Sequence, residues 1–116
     1  MKKITILFIV LSTLISCLFR DNPIVKIKNS SNKTIDSIEI FAYTSHKTVF
    51  KNVKPNERVK GIIELNNLSN NDGNYNIKVY SNNLMKQQSF GYFTNGASLD
   101  YQFNIAIEKD TILIKN

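Results

Sequence analysis

The sequence predicts an all-β domain, an antiparallel β-sandwich of seven or eight strands, and three observations carry that expectation. Beyond residue 23 no stretch holds apolar residues at helical spacing for three turns, whereas Ile, Val, Tyr, Phe and Thr alternate with polar residues. Clusters of Asn, Asp, Gly and Pro interrupt the chain at roughly ten-residue intervals, the rhythm of a sandwich. The intervals also leave no room for the crossover helices that a parallel sheet requires.

The elements follow in order. Val25 and Ile27 alternate with Lys26 and Lys28, which predicts a first strand at 24–29, and the polar run 29–33 turns the chain. Ile38, Ile40 and Ala42 alternate with Glu39, Phe41 and Tyr43 in a second strand that ends at 44–47, and 48–53 is a third. Lys54-Pro55-Asn56-Glu57 is a turn, because proline presets the first central angle and asparagine tolerates the next. Extended structure resumes over 59–65. The Asn-rich stretch 66–74, with Asp72-Gly73 inside it, is a loop, and Tyr75, Ile77 and Val79 define the next strand. Asn82-Asn83 turns the chain into a sixth strand at 84–93, and Thr94-Asn95-Gly96 is a tight turn suited to positive φ. Tyr101, Phe103, Ile105 and Ile107 form a seventh strand, Glu108-Lys109-Asp110 a turn, and 111–115 an eighth strand.

Period two places Val25, Ile27, Ile38, Ile40, Val59, Ile63, Ile77, Val79, Tyr101, Phe103, Ile105 and Ile107 on the facing sides of two sheets. An immunoglobulin-like Greek key is the first expected arrangement. A transthyretin-like sandwich or a small barrel is the second, since strand number alone does not separate them.

The first 17 residues have a different character. Lys2 and Lys3 form a basic segment, Ile4 to Ile15 an apolar run broken only by Thr5, Ser12 and Thr13, and Leu14-Ile15-Ser16-Cys17 follows. The run is too short for a membrane-spanning helix of about 20 apolar residues. This segment resembles the signals of bacterial lipoprotein precursors, whose lipobox is Leu, a small or branched residue, Ser, Ala or Gly, and then Cys. The resemblance implies cleavage between Ser16 and Cys17 and lipidation of Cys17, with a diacylglyceryl thioether and an acyl chain such as palmitate. It implies a signal peptide at 1–16, a lipidated tether at 17–23 and a domain at 24–116. The product would be exported and membrane-anchored, on the periplasmic or surface face of an outer membrane if the cell has one. Cys17 is the sole cysteine, so an exported domain has no disulfide, and lipidation accounts for the unpaired thiol. In layout, with a Val-x-Ile-x-Asn strand, a Pro-Asn turn and a closing hairpin, the remainder loosely resembles the immunoglobulin-like domains of envelope lipoproteins.

About 100 residues after such a cleavage suit one domain. Loss of Lys2 and Lys3 takes the formal charge from +6 to +4. The cations are interspersed with Asp36, Glu39 and Glu57, which reads as a solvated surface weakly attracted to anionic headgroups or acidic polymers. Nucleic acid is not an expected partner outside the cytoplasm.

No catalytic or metal site is expected, and no cofactor. His46 is the only histidine and sits in a predicted turn, and Cys17 is committed to lipid, so zinc lacks ligands. If Gly73 took the sixth position of a calcium loop, Leu68 and Val79 would stand where carboxylates are required. The carboxylates that sugar hydrolysis would have to pair in three dimensions, Glu39, Glu57, Glu64, Glu108 and the five Asp, all fall at turns or on outward-facing strand positions. The Asn-x-Ser/Thr triplets at Asn29, Asn32 and Asn67 carry no glycosylation in a bacterial context. Phe90, Tyr92 and Phe93 are the candidate contact residues, because neighbouring aromatics in one strand point to both faces. The first functional expectation is thus a lipid-anchored, non-enzymatic binding or structural module of the cell envelope, touching the membrane and another envelope protein. An inhibitor or immunity lipoprotein is the second, and a small envelope hydrolase the third.

Overall fold

The computed structural model describes residues 22–44, 46–65 and 72–116, and these form two packed sheets with no helix. Strands β1 (Ile24–Asn29), β4 (Arg58–Ile62), β8 (Gln102–Ile107) and β9 (Ile112–Lys115) make sheet A in the order β4-β1-β8-β9. Strands β2 (Ile35–Phe41), β3 (Lys47–Val53), β5 (Gly73–Ser81), β6 (Leu84–Thr94) and β7 (Ala97–Ser98) make sheet B in the order β3-β2-β5-β6-β7. Neighbours are antiparallel except β1 and β8, which run parallel.

Strand order rules out the first of the expected sandwiches. In an immunoglobulin domain the second and third strands lie in opposite sheets, whereas here β2 and β3 are hydrogen-bonded partners, Ile40 opposite Thr48. The short link between Phe41 and Lys47 turns β3 straight back onto β2 as a hairpin. The immunoglobulin-like order is therefore not the one formed, and the domain is a sandwich of a four-stranded and a five-stranded sheet.

The core lies between the sheets. Val25, Ile27, Phe103, Ile105 and Ile107 from sheet A meet Ile38, Ile40, Tyr75, Ile77 and Val79 from sheet B, all at most 5% exposed. Ile63 is buried as expected, although β4 ends one residue before it and its amide bonds Pro23 instead. Val59 is only half-buried, because β4 is an edge strand with no neighbour to cover it. Tyr101 departs outright from the expected core: it is 81% exposed. Tyr75, Phe90, Phe93 and Phe103 already close that end of the sandwich with ring centroids 5.0–5.6 Å apart, so Tyr101 is left outside.

The turns behave as their residues demand. Asn56 takes φ 65° after Pro55, and the Glu57 amide donates to the Lys54 carbonyl at 3.0 Å. Asn82-Asn83 and Asn95-Gly96 adopt positive φ at both central positions, the geometry that matches the twist of two-residue hairpins. The second of these turns folds β6 back into the two-residue β7, a strand not expected from the sequence.

Gly91 in β6 resolves how Phe90 and Phe93, three apart in one strand, both reach the core at 7% and 4% exposure. Tyr75 pairs with Phe90 but Gly73 with Phe93, so β6 holds one extra residue there, and Gly91 at φ 60° forms the bulge. The bulge shifts the inward face by one residue. A Cβ on Gly91 would lie 2.7 Å from Phe103 Cζ and 2.8 Å from Tyr75 Cδ2, so only glycine fits.

Asn29 is the one polar residue in the core of the described domain, 0% exposed. Its Nδ2 donates to the carbonyls of Lys33 at 2.8 Å and Val53 at 2.9 Å, while Oδ1 accepts from the Ser31 amide and hydroxyl at 3.0 and 2.6 Å. Its backbone amide donates to Glu57 O, and its carbonyl accepts from the Asn56 amide. Asn29→Ala removes the side-chain bonds and takes the amide donor away from the buried Val53 carbonyl. The expected loss is about 3 kcal/mol of stability, read from the urea midpoint of the variant against wild type.

Candidate binding surface

The outer face of sheet A collects charge of a single sign. Val25, Ile27 and Asn29 point inward along β1, so Lys26 and Lys28 point outward. Register then brings Lys60 opposite Lys26 and Arg58 opposite Lys28 from β4. On the other flank Asn104 lies beside Lys26 and Ala106 beside Lys28 from β8, and β9 sets Lys115 opposite Asn104 and Leu113 opposite Ala106. The result is five cations over three strands, with Ala106 and Leu113 as an apolar floor. No acidic residue occupies these outward positions. A groove of about 400 Å³ runs over this face.

Local structure explains part of the pattern. Edge strands commonly carry Lys or Arg that discourage pairing with other chains, and this accounts for Arg58 and Lys60 on β4 and Lys115 on β9. It does not account for Lys26 and Lys28, since β1 is a central strand. Like charges directly opposite one another in adjacent strands are destabilising by about 0.5–1 kcal/mol per pair. The fold tolerates two such pairs where neutral residues would serve it better. The one ion pair among the described residues, Lys47 Nζ to Glu39 Oε2 at 3.3 Å, lies on sheet B.

The sequence-derived candidates separate clearly. Phe90 and Phe93 are core residues and present nothing to a partner. Tyr92 is 42% exposed and is the ring of the three that faces outward. Leu99 joins it, its amide bonded to the Tyr92 carbonyl at 3.2 Å and its side chain 61% exposed. Cys17 lies outside the described residues, as do Asn67 and most of the loop once compared with a calcium site. Asp72, from that loop, accepts from the Asn95 amide at 2.8 Å and the Thr94 hydroxyl at 2.9 Å, and these bonds hold its pKa below the ordinary carboxylate value. It serves the β6–β7 turn. Asn29, of the glycosylation triplets, is buried.

His46 is half-buried with its ring 5.2 Å from that of Tyr43. Among the described residues no three His, Cys, Asp or Glu side chains gather as a metal site would require. The Tyr75 hydroxyl is the one buried side-chain polar atom there without a hydrogen bond, the nearby Ser98 hydroxyl being turned to the Asp100 backbone. Burial, opposed by Ser98 and reinforced by the charge of Asp100, raises the pKa of this phenol above its ordinary 10.0, so it stays neutral. A second hollow of about 360 Å³ lies between 31–33 and 108–110, where Lys33, Lys86 and Lys109 mix with Glu108 and Asp110. Mixed signs give it no preference for an anion.

The basic face escaped the sequence reading because its cations are scattered along the chain. A signal was present: in Val25-Lys26-Ile27-Lys28 and in Arg58-Val59-Lys60 every outward residue is a cation. What the alternation could not supply was the pairing of those two strands. If the opposed cations repel as described, Lys60→Gln stabilises the domain by about 0.5–1 kcal/mol at low ionic strength. The gain should shrink in high salt, as measured by urea unfolding at both ionic strengths.

Compared with family models, with curated proteins and with solved structures, the chain matches none of them.

Proposed function

We propose that this chain is an exported, lipid-anchored, non-enzymatic binding module of the cell envelope, whose working surface is the outer face of sheet A and whose ligand is anionic. The observation that carries the reading is the alignment of Lys26, Lys28, Arg58, Lys60 and Lys115 on one face without a counter-charge. Such a face attracts phosphate- or carboxylate-bearing surfaces, and the lysine stems can lie along Ala106 and Leu113 while their ammonium groups meet the ligand. The lipobox Leu14-Ile15-Ser16-Cys17 supports the anchor. The short distance from Cys17 to the domain supports action close to a membrane.

One observation favours a second reading, that of an inhibitor or immunity lipoprotein. Such a protein acts through a protruding loop with a basic or aromatic tip, and the link 99–101, with Tyr101 81% exposed, offers the aromatic one.

The anchor is tested by growth with labelled palmitate: wild type incorporates label and Cys17→Ser does not, whereas equal labelling of both rejects lipidation. The ligand class is tested by retention of the full chain on phosphocellulose. Lys26→Glu with Lys60→Glu should elute at clearly lower salt than Lys33→Glu with Lys51→Glu, which makes the same change of net charge elsewhere. Equal elution of the two double variants rejects the face as a site.

A further inference from the structure

The basic face has a polarity along its strands, and the anchor side is apolar. The chain enters the domain at Asn22, whose Oδ1 accepts from the Leu65 amide at 3.0 Å, and Pro23 is buried behind it. Asn22 and Pro23, expected as tether, thus already belong to the folded domain. At this end Ile24 pairs with Ile62, which is 46% exposed, and the Ile24 amide donates to the Tyr101 carbonyl at 2.9 Å. Tyr101 and Leu99 stand in the link from β7 to β8, and Tyr92 is joined to Leu99 through the backbone. Four large exposed apolar residues therefore border the end of the sandwich from which residues 1–21 depart. The C-terminus lies here too, its Asn116 Nδ2 donating to Asp100 Oδ1 at 3.1 Å.

Two residues further along the strands comes the row Lys60, Lys26 and Lys115, and two further again Arg58 and Lys28. Alternate residues of a strand are roughly 7 Å apart. The polar layer on each side of a bilayer is roughly 5–7 Å deep, from the difference between the hydrocarbon and total thicknesses. An end bearing Tyr101, Leu99 and Ile62 at the boundary of the acyl chains would hold the first cation row at the level of the headgroups. Tyrosine at the interface with lysine beyond it is the pattern by which proteins sit at membrane surfaces.

We propose that this end docks on the bilayer that carries the anchor, with Leu99, Tyr101 and Ile62 entering the interface and Lys26, Lys60 and Lys115 binding anionic headgroups. This rests on the reading above and names the anionic ligand as the membrane itself. The tether argues for that occupant: from Cys17 to Asn22 is five residues of chain, which fully extended reach at most about 18 Å. The apolar end therefore stays within a few strand spacings of the lipid. Each lysine near an anionic surface strengthens docking roughly fivefold.

The chain contains no tryptophan, so one introduced indole reports its own surroundings. The lipidated full chain bearing Tyr101→Trp, Leu99→Trp or, as control, Leu84→Trp is reconstituted into phosphatidylcholine vesicles with and without phosphatidylglycerol, and quenching by brominated lipid is measured. Leu84 is 71% exposed at the β5–β6 turn, at the far end of the domain. The docked arrangement gives blue-shifted, quenched emission at 101 and 99 but not at 84, more strongly with phosphatidylglycerol. Adding Lys26→Glu and Lys60→Glu should abolish the gain from phosphatidylglycerol. Protein that floats with the vesicles while 101 and 99 stay unquenched overturns the docking and leaves that loop free for a protein partner. Equal quenching at 84 overturns the orientation. Failure of the wild-type chain to float with the vesicles would instead reject the anchor, and circular dichroism of each variant checks that the exposed substitutions keep the fold.

Discussion

A carboxamide sealed from water ties the two sheets together at the end remote from the chain's entry. Asn29 closes β1 of sheet A, yet its amide group reaches the carbonyl of Val53 at the end of β3 in sheet B and gathers the turn at 31–33 as well. With no disulfide in the domain, hydrophobic burial supplies most of the driving force for folding. Burial is nondirectional and would tolerate sheets that slip. A polar group that must satisfy two donors and an acceptor inside an apolar core tolerates one arrangement, because any other leaves those groups desolvated and alone. The placement of the end of β1 against the end of β3 and the 31–33 turn is held by that requirement.

The charged face and the buried core are two sides of the same strands. Lys26 and Lys28 on β1 are separated by Ile27, which is buried in the interior, so the cations are locked into rows as firmly as the core is packed. That rigidity matters for binding, since side chains already aligned lose less freedom on meeting a ligand than charges on a mobile loop. The cost is electrostatic crowding in the free protein, which the proposed anionic ligand would relieve.

Much of this was legible in the sequence. The first strand was predicted with its observed bounds, ten of the twelve expected core positions are buried, and the Pro55-Asn56, Asn82-Asn83 and Asn95-Gly96 turns form where expected. Period-two patterning succeeded wherever a strand stayed regular. It failed where one residue interrupts the period: the bulge at Gly91 turns both Phe90 and Phe93 inward. The period also breaks in β2, where Ile35 and Ile38, three apart, are both buried. It failed also at Tyr101, where the strand face continues past the end of the core. Strand order was beyond the pattern altogether, because local alternation says which face a residue takes and nothing about which strand lies beside it.

The parallel pairing of β1 with β8 has a kinetic side. Ile24 finds its partner Gln102 only when almost the whole domain is present, and contacts so distant in sequence make folding slow. A chain that emerges with its N-terminus first cannot complete sheet A until its last strands have followed. Until then β1 has one of its two neighbours at most, and the sandwich stays open. If the chain is exported as proposed, this delay is an advantage, since a polypeptide remains translocation-competent for as long as its C-terminal strands are held back.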